Sequence, residues 1–88
     1  MREYAFVLMK HPTDSDKPEM LTAEIQLPEV KTQREVYLDI GEDRIVLEAR
    51  KAGYFLDIFV PFSILQSQVK AQFNKESRLL RVKMPLQQ

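Results

Sequence analysis

The sequence contains no cysteine, which excludes a disulfide framework and any thiolate metal site. Its single histidine, His11, stands beside Pro12 in a polar stretch. No nucleophile or orienting acid is patterned around it, whereas a catalytic histidine needs both and a zinc site needs several converging ligands. Two glycines do not make a phosphate-cradling loop, and there is no nucleophile elbow. No apolar run approaches the roughly 20 residues of a membrane span, and no signal-peptide pattern precedes the first strand-like segment. Thirteen Lys and Arg balance thirteen Asp and Glu, so the molecule as a whole carries no charge that would draw it to nucleic acid. The expectation is a protein that is not an enzyme, holds no cofactor or metal, binds no nucleic acid directly and enters no membrane. The cytoplasm and nucleus are its expected location.

What the sequence does have is alternation. Its 88 residues suffice for one domain with a modest core, and 44% apolar with 30% charged residues is ordinary for a globular chain. Glu3 to Met9 is strand-like, with both alternating rows apolar, so either both faces are covered or one awaits a partner. His11 to Glu19, with prolines at 12 and 18, is a polar loop. Met20 to Leu27 alternates with Leu21, Ala23, Ile25 and Leu27 inward, and Pro28 ends it. Glu35 to Ile40 and Arg44 to Arg50 flank a Gly41-Glu42-Asp43 turn and read as a hairpin. Tyr54 to Val60, Val69 to Phe73 and Arg78 to Met84 follow as strands, while Phe62 to Gln68 reads as a loop with room for one helical turn. Seven short strands at this spacing predict an all-β, seven-stranded antiparallel β-sandwich.

Three segments invite a chemical reading. Asp14, Asp16 and Glu19 alternate loosely like a calcium loop, but the turn glycine and the distal bidentate glutamate are missing. Lys51 to Phe55 (KAGYF) looks superficially like an RNA-stacking strand, yet its further aromatic and glycine positions are absent and Asp57 would repel phosphate. Asp57, flanked by Leu56 and Ile58, is a carboxylate open to perturbation but lacks a second titratable partner in the pattern.

The segment Tyr54 to Val60 is two-faced. With Tyr54, Leu56, Ile58 and Val60 inward, Phe55, Asp57 and Phe59 share the outer face. Two outward phenylalanines around a carboxylate suit a peptide-docking strip; the alternative is a strand covered on both faces. Charge is also polarised along the chain. Residues 1–48 hold 6 basic against 11 acidic side chains and residues 49–88 hold 7 against 2, giving −5 and +5. Either the signs cancel across interleaved strands, or the basic half forms a patch for an acidic partner.

Several segments together resemble a known family. They are Leu21 to Val30 (LTAEIQLPEV), Glu35 to Glu48 (EVYLDIGEDRIVLE), Tyr54 to Pro61 (YFLDIFVP), Val69 to Phe73 (VKAQF) and Leu79 to Leu86 (LLRVKMPL). In that order they are similar to a CS domain, the sandwich of several cochaperones related to the α-crystallin fold. The pattern is most like the C-terminal CS domain of the PIH family, proteins interacting with heat-shock protein 90. The likeness runs from about residue 3 to 86, and residues 1–88 are expected to be a single such domain forming the C-terminal part of a longer protein.

The resemblance implies a non-catalytic adaptor. In the family the CS domain holds the C-terminal tail of a tetratricopeptide-repeat cochaperone, and with AAA+ ATPases the pair forms the R2TP complex. That complex assembles small nucleolar ribonucleoproteins, RNA polymerase and phosphatidylinositol-kinase-like kinases. The chain has no tryptophan, which CS domains that touch the chaperone directly often carry, so contact with heat-shock protein 90 is expected to be indirect. Strand addition at a sheet edge is the expected binding mode. In CS topology Tyr54 to Val60 is expected to edge the smaller sheet and Val69 to Phe73 the larger. Phe55, Phe59 and Phe62 are then the expected anchors beside Asp57, with Arg50, Lys51 and Lys70 as rim charges for an acidic tail. The alternative function on this fold is a small-heat-shock-like holdase that binds exposed apolar segments of clients.

Overall fold

The computed structural model describes residues 5–87. Seven strands form in chain order: β1 (Phe6–His11), β2 (Met20–Gln26), β3 (Tyr37–Ile40), β4 (Arg44–Ala49), β5 (Tyr54–Phe59), β6 (Lys70–Asn74) and β7 (Leu79–Pro85). They make a four-stranded sheet in the order β1-β2-β7-β6 and a three-stranded sheet in the order β3-β4-β5, with every pair antiparallel. The all-β sandwich expected from the alternation is the observed fold. β5 and β6 stand at ends of the smaller and larger sheets, as expected.

The core is the set of inward rows on the three central strands. Leu21, Ala23 and Ile25 of β2, Ile45, Leu47 and Ala49 of β4, and Leu80, Val82 and Met84 of β7 are fully or almost fully buried. Leu27, Val30 and Ile64 join them from the connections. Each buried Leu or Ile side chain contributes about 1.5–3 kcal/mol relative to exposure. Tyr54 enters the same core with its ring buried and its hydroxyl accepting the Glu29 N–H at 3.4 Å, which gives the polar end of an otherwise apolar residue a partner.

Most strand boundaries differ from the sequence reading by one residue; two differ by two residues, each for a local reason. The first strand runs to His11 because β2 begins opposite it at Met20, and the Glu19 N–H donates to the His11 carbonyl at 2.8 Å. His11 therefore ends a strand rather than opening a loop, and its Nε2 lies 3.0 Å from the Thr22 hydroxyl. The expected start at Glu3 and Tyr4 lies outside the described residues. Glu35 does not open β3. Its carboxylate accepts the N–H groups of Lys31 and Thr32 at 2.8 and 2.9 Å, which holds Gln33–Glu35 as a 3-10 turn and delays the strand to Tyr37.

Two further turns position the small sheet. Gly41 donates to the Arg44 carbonyl at 2.8 Å and closes the β3–β4 hairpin. Between β4 and β5 a 3-10 turn, Arg50–Ala52, ends at Gly53 with φ 79°. That left-handed conformation costs a glycine little and any residue with a Cβ considerably more.

Candidate partner-binding surfaces

The outer face of the small sheet is built by register. Tyr37 lies across from Glu48 and Glu48 from Phe55; Asp39 lies across from Val46 and Val46 from Asp57; Arg44 lies across from Phe59. Tyr37 is 61% exposed, Phe55 40% and Phe59 68%. Facing rows that alternate aromatic and charged groups give a surface both apolar and water-compatible, the composition of a docking strip rather than of bare sheet.

Four of its charges are paired internally. Arg44 Nε donates to Asp57 Oδ1 at 2.8 Å and Nη2 to Oδ2 at 2.5 Å, a two-pronged guanidinium–carboxylate pair. The same guanidinium carbon stands 5.2 Å from the Phe59 ring centroid, within cation–π range. The hydrogen bond from Arg44, aided by its charge, holds the Asp57 carboxyl below the usual carboxylate value and outweighs desolvation. Asp57 is thus an anchored anion and not a raised-pKa acid. Arg50 donates to Glu48 through Nε, to the carboxylate oxygen Oε1.

The seven residues singled out in the sequence separate into two groups and two outliers. Phe55, Asp57 and Phe59 share the β5 outer face, and Arg50 and Lys51 stand at one end of it in the 3-10 turn. There they line a groove of about 660 Å³ with Tyr37, Glu48 and the Arg34–Val36 segment. Phe62 follows β5 but is half-buried against the core, so its ring is partly committed to the fold. Lys70 belongs to β6 of the other sheet, directly across from Lys83, and is not part of the Phe55–Phe59 surface. Arg50, expected as a rim charge, already holds Glu48.

Sequence reasoning missed Tyr37, Val46 and Arg44. Their outward positions follow from the same period-2 alternation that placed Leu38, Ile40, Ile45 and Leu47 inward. What the alternation does not carry is which outward residues of three strands become neighbours. Among the described residues no group of three or more His, Asp or Glu converges as a metal site.

With the sandwich and its aromatic face in place, comparison with known proteins gives the class. The PIH1 CS-like domain family matches residues 6–87, and the chain belongs to that family. It is 50% identical over 70 residues to PIH1 domain-containing protein 1 of Xenopus laevis, covering 80% of this chain and 24% of the relative. It is 47% identical over 81 residues to PIH1 domain-containing protein 1 of Danio rerio, covering 92% and 28%. Protein kintoun of Danio rerio is 31% identical over 70 residues, covering 80% of this chain and 12% of kintoun. The chain therefore spans about a quarter or less of the length of these relatives. Among solved structures, heat shock protein 16.0 from Schizosaccharomyces pombe superposes with a TM-score of 0.69 over 98% of this chain and 88% of that one. At 15% identity this likeness shows the fold alone.

Proposed function

We propose that this CS-like domain is a non-catalytic adaptor module that captures an extended C-terminal tail of a tetratricopeptide-repeat cochaperone by strand addition at β5. The observation that carries the proposal is Phe59, 68% exposed on a strand that ends its sheet and framed by the Arg44–Asp57 pair. Main-chain hydrogen bonds to a sheet edge supply affinity, and alternate side chains of the added strand supply selectivity. Phe59 and Phe55 are the anchors, Tyr37 and Val46 extend their apolar surface, and Lys51 steers the tail at the groove end. Phe62 is partly committed to the core. Through that partner the domain reaches heat-shock protein 90 and AAA+ ATPases in an R2TP-type assembly that acts on ribonucleoprotein, polymerase and kinase clients in cytoplasm and nucleus. Membership of the PIH1 CS-like family supports this reading.

Calorimetric titration of the chain with the tail peptide, wild type against Phe59→Asp, tests it. Micromolar binding that Phe59→Asp abolishes while thermal unfolding stays cooperative supports β5 as the docking strand. Equal affinity in both proteins removes β5 from the mechanism.

A further inference from the structure

The chain has three tyrosines, Tyr4, Tyr37 and Tyr54. Tyr54 is locked in the core with its hydroxyl bonded to the Glu29 N–H, and Tyr4 lies outside the described residues. Tyr37 is the opposite of Tyr54. It opens β3 with its ring exposed, and among the described residues its hydroxyl has no hydrogen-bond partner. β3 ends the small sheet and pairs only with β4. The backbone is already extended one residue earlier, at Val36 with φ −108° and ψ 124°. Tyr37 therefore sits in an extended segment with one main-chain edge uncovered, the form in which a peptide enters a kinase cleft. β3 is four residues long and follows a 3-10 turn, so its local release costs less than that of a central strand.

The flanks of Tyr37 have one sign. Glu35 and Asp39 stand two residues before and after it, Val36 and Leu38 stand on either side, and no basic residue lies between positions 35 and 43. Acidic flanks complement the basic substrate cleft of many protein tyrosine kinases. The groove beside Tyr37 has the other sign to offer. Arg34, Arg50 and Lys51 line it together with Glu35 and Glu48. Both carboxylates are engaged: Glu48, directly across from Tyr37, accepts from Arg50, and Glu35 accepts the N–H groups of Lys31 and Thr32. Lys51 acts on Glu35 through space. Among the described residues neither Arg34 nor Lys51 forms an ion pair.

We propose that Tyr37 is a phosphorylation site for a protein tyrosine kinase, and that Arg34 and Lys51 clamp the added phosphate across the groove. In the transfer the Tyr37 hydroxyl oxygen forms a bond to the γ-phosphorus of a nucleoside triphosphate held by the kinase. The bond from that phosphorus to its bridging oxygen breaks and the nucleoside diphosphate leaves. The hydroxyl proton passes to the carboxylate base of the kinase. The phosphate brings a charge of about −1.5 to −2 and three acceptor oxygens, which guanidinium and ammonium groups hold by charge-assisted hydrogen bonds. It also occupies Lys51 and adds negative charge at the end of the docking face, so an acidic tail meets a less favourable surface. That last consequence rests on the β5 reading; the modification and its clamp do not.

The test incubates the folded chain with a purified tyrosine kinase selective for acidic flanks, with ATP and Mg²⁺, and maps the product by mass spectrometry. A peptide of residues 33–42 is the reference for accessibility. Tyr37 is expected to be modified in the folded chain at no less than about one tenth of the peptide's rate, with Tyr54 unmodified. Phosphorus-31 NMR then follows the second ionisation of the phosphate. The clamp places it lower in the folded chain than in urea, by about half a pH unit or more, and Arg34→Gln and Lys51→Gln each move it back. Modification of the peptide but not of the folded chain, modification of neither, or an ionisation unchanged by folding and by both substitutions would overturn the proposal. Phosphorylation is expected to weaken binding of the tail peptide about tenfold; unchanged affinity would overturn the regulatory consequence. A tail that fails to bind even the unmodified chain is failure of the β5 reading, and the mapping and the ionisation still decide the site.

Discussion

Arg44 on β4 holds both carboxylate oxygens of Asp57 on β5, at 2.8 and 2.5 Å, while its guanidinium carbon lies 5.2 Å from the Phe59 ring centroid. One side chain therefore neutralises the anion and orients the aromatic beside it. The pair is solvent-exposed, and exposed ion pairs add little to folding; its consequence is the fixed shape and charge of the surface around Phe59.

That relationship sets a pH dependence. Asp57 is held below its ordinary value, chiefly by the Arg44 hydrogen bond, so its folded pKa lies below its unfolded one. The sign is that of a group whose contribution is complete above the unfolded value and is lost as pH falls through the folded one. The midpoint of urea unfolding is expected to be slightly higher for wild type than for Asp57→Asn near neutral pH. The difference should shrink below about pH 4. Paired denaturation curves across that range check it, and a gap that widens on acidification would contradict the assignment.

Truncating the core centre has a larger effect. Leu47 is fully buried on the middle strand of the small sheet. Leu47→Ala is expected to cost about 2–5 kcal/mol, a large share of the 5–15 kcal/mol typical of a small domain. Chemical denaturation is expected to show a lowered midpoint at unchanged slope.

A backbone prediction follows from Gly53, at φ 79°. Gly53→Ala forces a Cβ into the left-handed region and is expected to destabilise by about 1–2 kcal/mol. Because Gly53 directly precedes β5, the variant should also exchange its β5 amides faster, measurable by hydrogen exchange.

The fold was legible because its core obeys a single rule. Leu21-Ala23-Ile25, Ile45-Leu47-Ala49 and Leu80-Val82-Met84 alternate with residues that are polar except for Val46, and those rows are the buried ones. The departures were set by side chains that compete for backbone groups: Glu35 withdraws itself and Val36 from β3 by accepting two N–H groups. The candidate surface was half legible. Alternation alone put Phe55, Asp57 and Phe59 on one face, but Arg44 is separated from Asp57 by 13 positions and meets it only through the β4–β5 register. The same limit explains the grouping of Lys70 with Arg50 and Lys51. Sequence shows their common sign, whereas the sheet assignment sends Lys70 to face Lys83 and leaves Arg50 bound to Glu48.

A charge-removal prediction separates steering from anchoring. Lys51→Gln, in the turn that precedes β5, is expected to slow tail association by about two- to fivefold at low salt and to change dissociation little. Phe59→Asp is expected to act on dissociation and to weaken binding by more than tenfold, about 2 kcal/mol, as anchor residues do. Stopped-flow or surface-binding kinetics at two ionic strengths distinguish the two.

The proposed function has β5 receive the tail of a tetratricopeptide-repeat cochaperone. An isotope-edited NMR titration of this chain with that tail peptide tests it most directly. The expected result is saturable shifts at micromolar peptide, centred on Tyr54 to Phe59 and on Arg44, with new amide protection along β5. A folded domain that shows no shifts, or shifts confined to β1 or β6, would contradict it.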